Sequence, residues 1–177
     1  LPLQAEYIAG ARSQVLVSAL FVITGLVAVA GQLRITAWVE KRHGTSGGLT
    51  AGLIVLAVAF VPLVVVPGPD RFGAVAAIVA LLLTTALLAV GTAAVFPFEM
   101  NTVISLSGGN HVATHYGFYS TIVGVGILVG TFVTGAVVDA ARTAGMSWIV
   151  WAGLNMIGMI AAHALYMLER PKPVTAH

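Results

Sequence analysis

Five stretches of the chain contain no Asp, Glu, Lys or Arg: residues 13–33, 44–69, 72–98, 115–138 and 143–168. Each holds at least the roughly 20 residues a helix needs to cross a hydrocarbon core about 30 Å thick. No soluble domain uses five such segments in 177 residues. The sequence therefore predicts an all-α fold, a polytopic transmembrane helical bundle with five full spans. They fall at about residues 14–33, 47–66, 73–96, 115–138 and 146–168.

Composition narrows the class further. The chain is 59% hydrophobic and 8% charged, where soluble domains are nearer a quarter charged. Its 20 glycines suit helices that approach closely in lipid. Without cysteine there are no disulfides and no thiolate metal sites, and neither a metal nor a cofactor is expected. A net charge of +2 is too small to imply nucleic-acid binding; the expected surroundings are the lipid bilayer. Arg12, the apolar run after it and Ala28-Val29-Ala30 imitate a secretory leader. The run is longer than a leader's usual ~7–15 residues, and Glu6 spoils a positive n-region, so a first span is the reading taken.

Loop charge gives orientation. Arg34, Lys41 and Arg42 follow the first span, and Arg170 and Lys172 follow the last; Arg12, Arg71 and Arg142 fall on the other side. Five basic residues against three place the N-terminus outside and the C-terminus in the cytoplasm. Trp148, Trp151 and Tyr166 read as aromatics at the membrane edge. A chain that starts outside, with Leu1–Arg12 reading like the end of an earlier span and a loop, looks like the back part of a larger bundle.

The fourth span, HYGFYSTIVGVGILVGTFVTGAVVD, has the richest pattern. Gly126 and Gly130 make a small-xxx-small pair suited to close helix approach. Gly117, Thr121, Gly124, Thr131 and Gly135 recur with helical period on another side. Gly117, eight residues, Gly126, three residues, Gly130, then Thr131-Phe-Val-Thr-Gly135 is similar to the antiporter motif of the major facilitator superfamily. Thr131 stands where that motif has Pro and Thr134 where it has Gly, as suits the pseudo-symmetric eleventh helix. The loop Gly31-Gln-Leu-Arg-Ile-Thr-Ala-Trp-Val-Glu-Lys-Arg-His-Gly44 resembles the basic loop between helices eight and nine, without the aspartate of its better-kept counterpart. Phe96-Pro-Phe-Glu-Met-Asn101 and Ala113-Thr-His-Tyr-Gly-Phe-Tyr-Ser120 look like the junction of helices ten and eleven in drug-efflux-like members.

The resemblance implies a C-terminal-half bundle over residues 1–177, the end of helix seven plus helices eight to twelve. It implies part of a multi-pass plasma-membrane secondary transporter working by alternating access. Its partners would be a missing N-terminal half and a small-molecule substrate, with a proton as candidate coupling ion. Spans one, three and four would then face the pathway, making Phe21, Thr24, Thr85, Thr121 and Gly124 the cavity-lining candidates. Gly117, Gly126, Gly130 and Gly135 are the helix-packing candidates. The mostly apolar wall suits a hydrophobic or amphipathic solute. At the inner ends of spans one and three, Arg34 and Glu99 form a candidate cytoplasmic latch, with Glu40 competing for Arg34.

Intramembrane ionisable groups usually mark function. His163, in the last span, is the only histidine or charged side chain inside a span rather than at its end, and on the implied peripheral helix it reads as a packing or interface residue. Two other classes stay open: a non-transporting membrane fragment that packs with a partner, and, remotely, an intramembrane hydrolase. The latter would need Ser120 and His163 as a dyad, but Ser120 is not in an exposed small-residue turn and no oxyanion-hole loop is evident.

Overall fold

The structure, a computed structural model, describes residues 1–10, 13–108 and 111–169. The elements run α1 (Pro2–Ala9), α2 (Ser13–Leu26), a π turn (Val27–Gly31), α3 (Gln32–Val58), α4 (Val61–Val65), α5 (Pro69–Leu106), α6 (Val112–Thr143) and α7 (Ser147–Glu169). There is no strand among the described residues. Five segments are long and apolar enough to cross a membrane: Ser13–Arg42, Gly47–Val65, Phe72–Leu106, Val112–Thr143 and Ser147–Leu168, called spans one to five below. The five-span all-α bundle read from the charge-free stretches is the fold observed.

α3 doubles back on itself. Thr36 on its first arm reaches the carbonyl of Ala93, and Gly52 on its second arm abuts Val95. Sixteen residues of straight helix would separate Thr36 from Gly52 by about 24 Å. Both arms touch one stretch of α5, so they form an antiparallel pair, the end of span one and the start of span two.

Helix extends beyond the expected ends of spans one, three and four. Between Arg34 and Arg42 the backbone stays helical because the segment is two-faced. Ile35 and Val39 pack on Ala94 and Phe98, while Arg34, Lys41 and Arg42 are exposed. α5 likewise runs on to Leu106, with Phe98 buried. Thr102 and Ser105 donate to the carbonyls of Phe98 and Thr102.

The continuation of α5 passes through Pro97. Proline has no N–H, so the carbonyl four residues earlier, at Ala93, loses its helical donor. An orphaned carbonyl is costly in lipid, where no water replaces the bond. The Thr36 hydroxyl donates to that oxygen across the helix interface at 3.4 Å. At the other end Gly73, with φ 80° and ψ 163°, breaks the helix just after the Pro67–Pro69 turn. A side chain there would meet the steric bar against positive φ.

The close approaches are made by glycines on spans two, three and five. A Cβ on Gly48 would fall within 2.5 Å of the Phe98 ring, and one on Gly52 would overlap Val95. A Cβ on Gly91 would lie 2.7 Å from Leu56, and one on Gly158 would lie 2.8 Å from Ala57. Beside Gly158, the Asn155 amide donates to the Ala57 carbonyl at 2.9 Å. Backbone proximity and one interhelical hydrogen bond thus join span five to span two, as helix pairs in lipid require.

A second cluster of Leu16, Leu20, Leu63, Ala77, Ala80, Leu81 and Trp151 ties span one to the rest. Trp151, read from the sequence as an aromatic at the membrane edge, packs into the bundle: it is 6% exposed, with its ring stacked on Phe60 at 6.4 Å. Trp148 is exposed. The two lie three residues apart, about 60° short of a full turn, so only one can face the bundle squarely.

One end of the bundle is held by a polar clasp. The Gln4 amide donates to the Pro67 carbonyl at 2.7 Å, Arg142 donates to the Gln4 side-chain oxygen at 3.4 Å, and the Arg142 guanidinium lies 5.1 Å above the Tyr7 ring. The first residues, the turn between spans two and three and the turn between spans four and five therefore share one end.

Candidate functional site

Hydroxyl-bearing residues of spans one and three meet beside the π turn. Thr24, Ala28 and Gln32 from span one and Thr85, Leu88, Ala89, Thr92, Ala93 and Phe96 from span three, with Leu1, line an open cavity of about 250 Å³. Its span-three wall follows the helical repeat Thr85, Ala89, Thr92, Phe96, one face of one helix. Four-residue steps put Thr24, Ala28 and Gln32 on the facing side of span one.

The chemistry of this wall follows from how its hydroxyls are already used. Thr24 donates to the Leu20 carbonyl and Thr85 to the Leu81 carbonyl, each at 2.9 Å. Both protons are spent within the helix, the usual fate of threonine in a span. The oxygen lone pairs remain and can accept a hydrogen bond from a guest. Gln32 adds an amide that can both donate and accept. No charged side chain lines the cavity. A neutral or weakly polar guest with donor groups matches such a wall; a multiply charged anion does not.

Of the cavity candidates, Thr24 and Thr85 are brought together. Phe21 lies on span one with its ring 69% exposed, outside this cavity. Thr121 and Gly124 lie on the exposed face of span four, where the Thr121 hydroxyl donates to the Gly117 carbonyl at 2.9 Å. Gln32 and the π turn were not anticipated. Gln32 falls at the end of the first charge-free stretch and reads there as a terminus. A π turn, which often accompanies functional positions, has no residue signature.

The packing candidates on span four meet nothing within this chain. Outside the local helix backbone, no atom lies within 4 Å of a Cβ built on Gly117, Gly124, Gly126, Gly130 or Gly135. Only 6% of the most apolar window of span four is buried, against 33% for spans two and three. Span one, at 11%, is the next most exposed.

At the opposite end from the clasp, Tyr119 of span four lies near the Glu99 carboxylate of span three. Tyr116 packs at 6.3 Å from Tyr119 on the same helix. Among the described residues no ion pair joins Arg34 to Glu99 or to Glu40. Arg34 instead borders an apolar groove on the far side of span three. Ser120 and His163 are both exposed, and no hydrogen bond joins them.

A bundle of lipid-length helices, short of partners on spans one and four and with a small cavity between spans one and three, defines part of a multi-pass membrane protein. The description of the Major Facilitator Superfamily matches residues 2–177, and the chain belongs to that family of membrane transporters. It is 48% identical over 169 residues to two uncharacterized MFS-type transporters of Mycobacterium tuberculosis, one from strain CDC 1551 and one from strain H37Rv. The match takes in 96% of this chain and 40% of each relative, so the chain spans about two-fifths of their length. No solved structure matches it.

Proposed function

We propose that the chain is the C-terminal half of a secondary active transporter that moves a hydrophobic or amphipathic solute by alternating access. The observation that carries this reading is the state of span four. An apolar helix bearing five glycines is shaped for close contact there, and all five face open space within the chain. An N-terminal half packed on spans one and four would supply it, and rocking of one half against the other would open the pathway alternately to each side. Phe21, Thr24, Thr85, Thr121 and Gly124 would line that pathway, with Gln32 and Thr92 added by the cavity. Gly126 and Gly130 would pack on a neighbour, with Gly117 and Gly135 along the moving face.

The bundle would sit in the plasma membrane with its clasped end outside and its C-terminus in the cytoplasm, as the loop charges favour. Arg34 and Glu99 would then flank the cytoplasmic opening. A pair that forms in one state alone biases the populations of both, so the latch belongs to the conformation in which Glu99 leaves Tyr119. The absence of a charged side chain in the cavity supports a neutral or lipophilic substrate, and a proton-binding carboxylate would lie in the N-terminal half. A hydrolytic role draws no support from two exposed, unjoined residues, Ser120 and His163.

The test is transport itself. Vesicles carrying the full-length protein should move a fluorescent lipophilic amphiphile, and the 177-residue chain alone should not. The Thr24→Val, Thr85→Val double variant should change the apparent affinity for it. Equal movement by empty vesicles, or full activity by the 177-residue chain alone, would refute the reading.

A further inference from the structure

We propose that the apolar groove on the Val90–Ala94 face of span three holds an acyl chain of an anionic phospholipid whose phosphate is bound by Arg34. The groove has a volume of about 620 Å³ and runs between Ile35, Trp38 and Val39 of span one, Ala51, Ile54 and Val55 of span two, and Val90 and Ala94. That volume lies within the ~300–1,000 Å³ usual for ligand sites. Arg34 is the one charged residue in its lining.

Two observations set this groove apart from the cavity described above. On span three, Thr85, Ala89, Thr92 and Phe96 face that cavity, while Val90 and Ala94 face the groove. Five residues from Thr85 to Val90, at 100° each, place the groove about 140° round the helix. The groove therefore looks away from the pathway proposed for the Thr24–Thr85 cavity, and its placement on the lipid side rests on that reading. In a bilayer the apolar molecule available on that side is lipid.

Charge chooses the kind of lipid. Arg34, Trp38, Lys41 and Arg42 are spaced i, i+4, i+7 and i+8, one face of a helix. All four are exposed, and Arg34 and Trp38 border the groove itself. Glu40 falls on the other side of the helix by the same count. A basic face beside an intramembrane groove attracts anionic headgroups, at about 1 kcal/mol for each Lys or Arg near the surface. The indole beside it suits the interfacial depth.

The experiment reads bound lipid, not transport, so its failure and failure of the transport reading are distinguishable. The full-length protein is extracted from vesicles of equimolar dioleoyl phosphatidylglycerol and dioleoyl phosphatidylcholine, and retained lipid is counted by native mass spectrometry. Phosphatidylglycerol should be retained in excess. Arg34→Gln should lower that excess about fivefold, the factor equivalent to about 1 kcal/mol, and Arg34→Lys should keep most of it. Ala51→Phe, which adds bulk inside the groove, should release both lipids. Equal retention of the two lipids by the unaltered protein would overturn the proposal, as would an excess untouched by Arg34→Gln. So would a dimer, abolished by Ala51→Phe, that closes the groove with a second copy.

Discussion

Spans two and four carry the same spacing of glycines and meet opposite surroundings. On span two, Gly48 and Gly52 are buried against Phe98 and Val95. On span four, Gly126 and Gly130 have nothing within 4 Å. The motif is permission for close approach, not a contact; the contact depends on what stands opposite. Span two is opposed by span three within the chain. For span four the opposing surface belongs, in the reading proposed here, to the other half of the transporter. The difference between the two helices thus separates what holds this half together from what it offers to a partner.

The largest effect is expected from bulk on span two. Gly52→Leu would drive a side chain into Val95, whose backbone nitrogen already lies 3.2 Å from the added Cβ. Backbone cannot yield as a side-chain tip can, so the substitution should destabilise the bundle by about 3 kcal/mol, the upper part of the range for overpacking. Folded yield of the full-length protein after mild heating would show it. Gly130→Leu should leave that yield nearly intact and lower transport instead. Equal loss of yield from both would erase the distinction between the two helices.

A smaller effect belongs to the bond that compensates Pro97. Thr36→Val removes the donor to the Ala93 carbonyl and should lower stability by about 1 kcal/mol. In a Pro97→Ala background the helix supplies its own donor, so Thr36→Val should then have little effect. A double-mutant cycle with no coupling would show that the 3.4 Å contact contributes nothing. Asn155→Leu, which breaks the link to the Ala57 carbonyl, should lose about 0.6 kcal/mol, the average for hydrogen bonds between helices in lipid. The smallest change is expected at Thr84, fully buried with a hydroxyl that has no partner. Thr84→Val should be neutral or slightly stabilising, since it removes an unsatisfied polar atom and keeps the shape.

Single-cysteine labelling would sharpen the same picture across the membrane, because the chain has no cysteine of its own. Cysteine at Thr45 or Thr175 should react from the cytoplasm, and at Gly68 or Thr143 from outside. Reaction of Thr45→Cys and Gly68→Cys from the same side would break the five-span order.

The spans were legible because charge is excluded from lipid over a fixed length, a constraint written into every residue of 13–33 or 115–138. Their ends were not, because a helix can continue past the membrane when one face still packs, as Ile35 and Val39 do on Phe98 and Ala94. Thr24 and Thr85 were readable as hydroxyls in mid-span. Gln32 was not, since the π turn that carries it into the cavity shifts the register without a sequence mark. Gly48 and Gly52 obey the same spacing rule as Gly126 and Gly130, yet sit beside Gly44-Thr45-Ser46-Gly47, a stretch whose composition reads as loop. The bond from Thr36 to Ala93 joins residues 57 apart, and its register is set by helix packing rather than by local sequence.

The side of span four that carries Gly117, Thr121 and Gly124 is read as a wall of the pathway, and the side carrying Ile122 and Val129 as facing lipid or protein. Thiol modification of full-length transporter in sealed membranes tests this division. Thr121→Cys and Gly124→Cys should react with a hydrophilic thiol reagent, and Ile122→Cys and Val129→Cys should resist it. Reaction at all four positions, or at Ile122 and Val129 alone, would contradict the assignment of that face to the pathway.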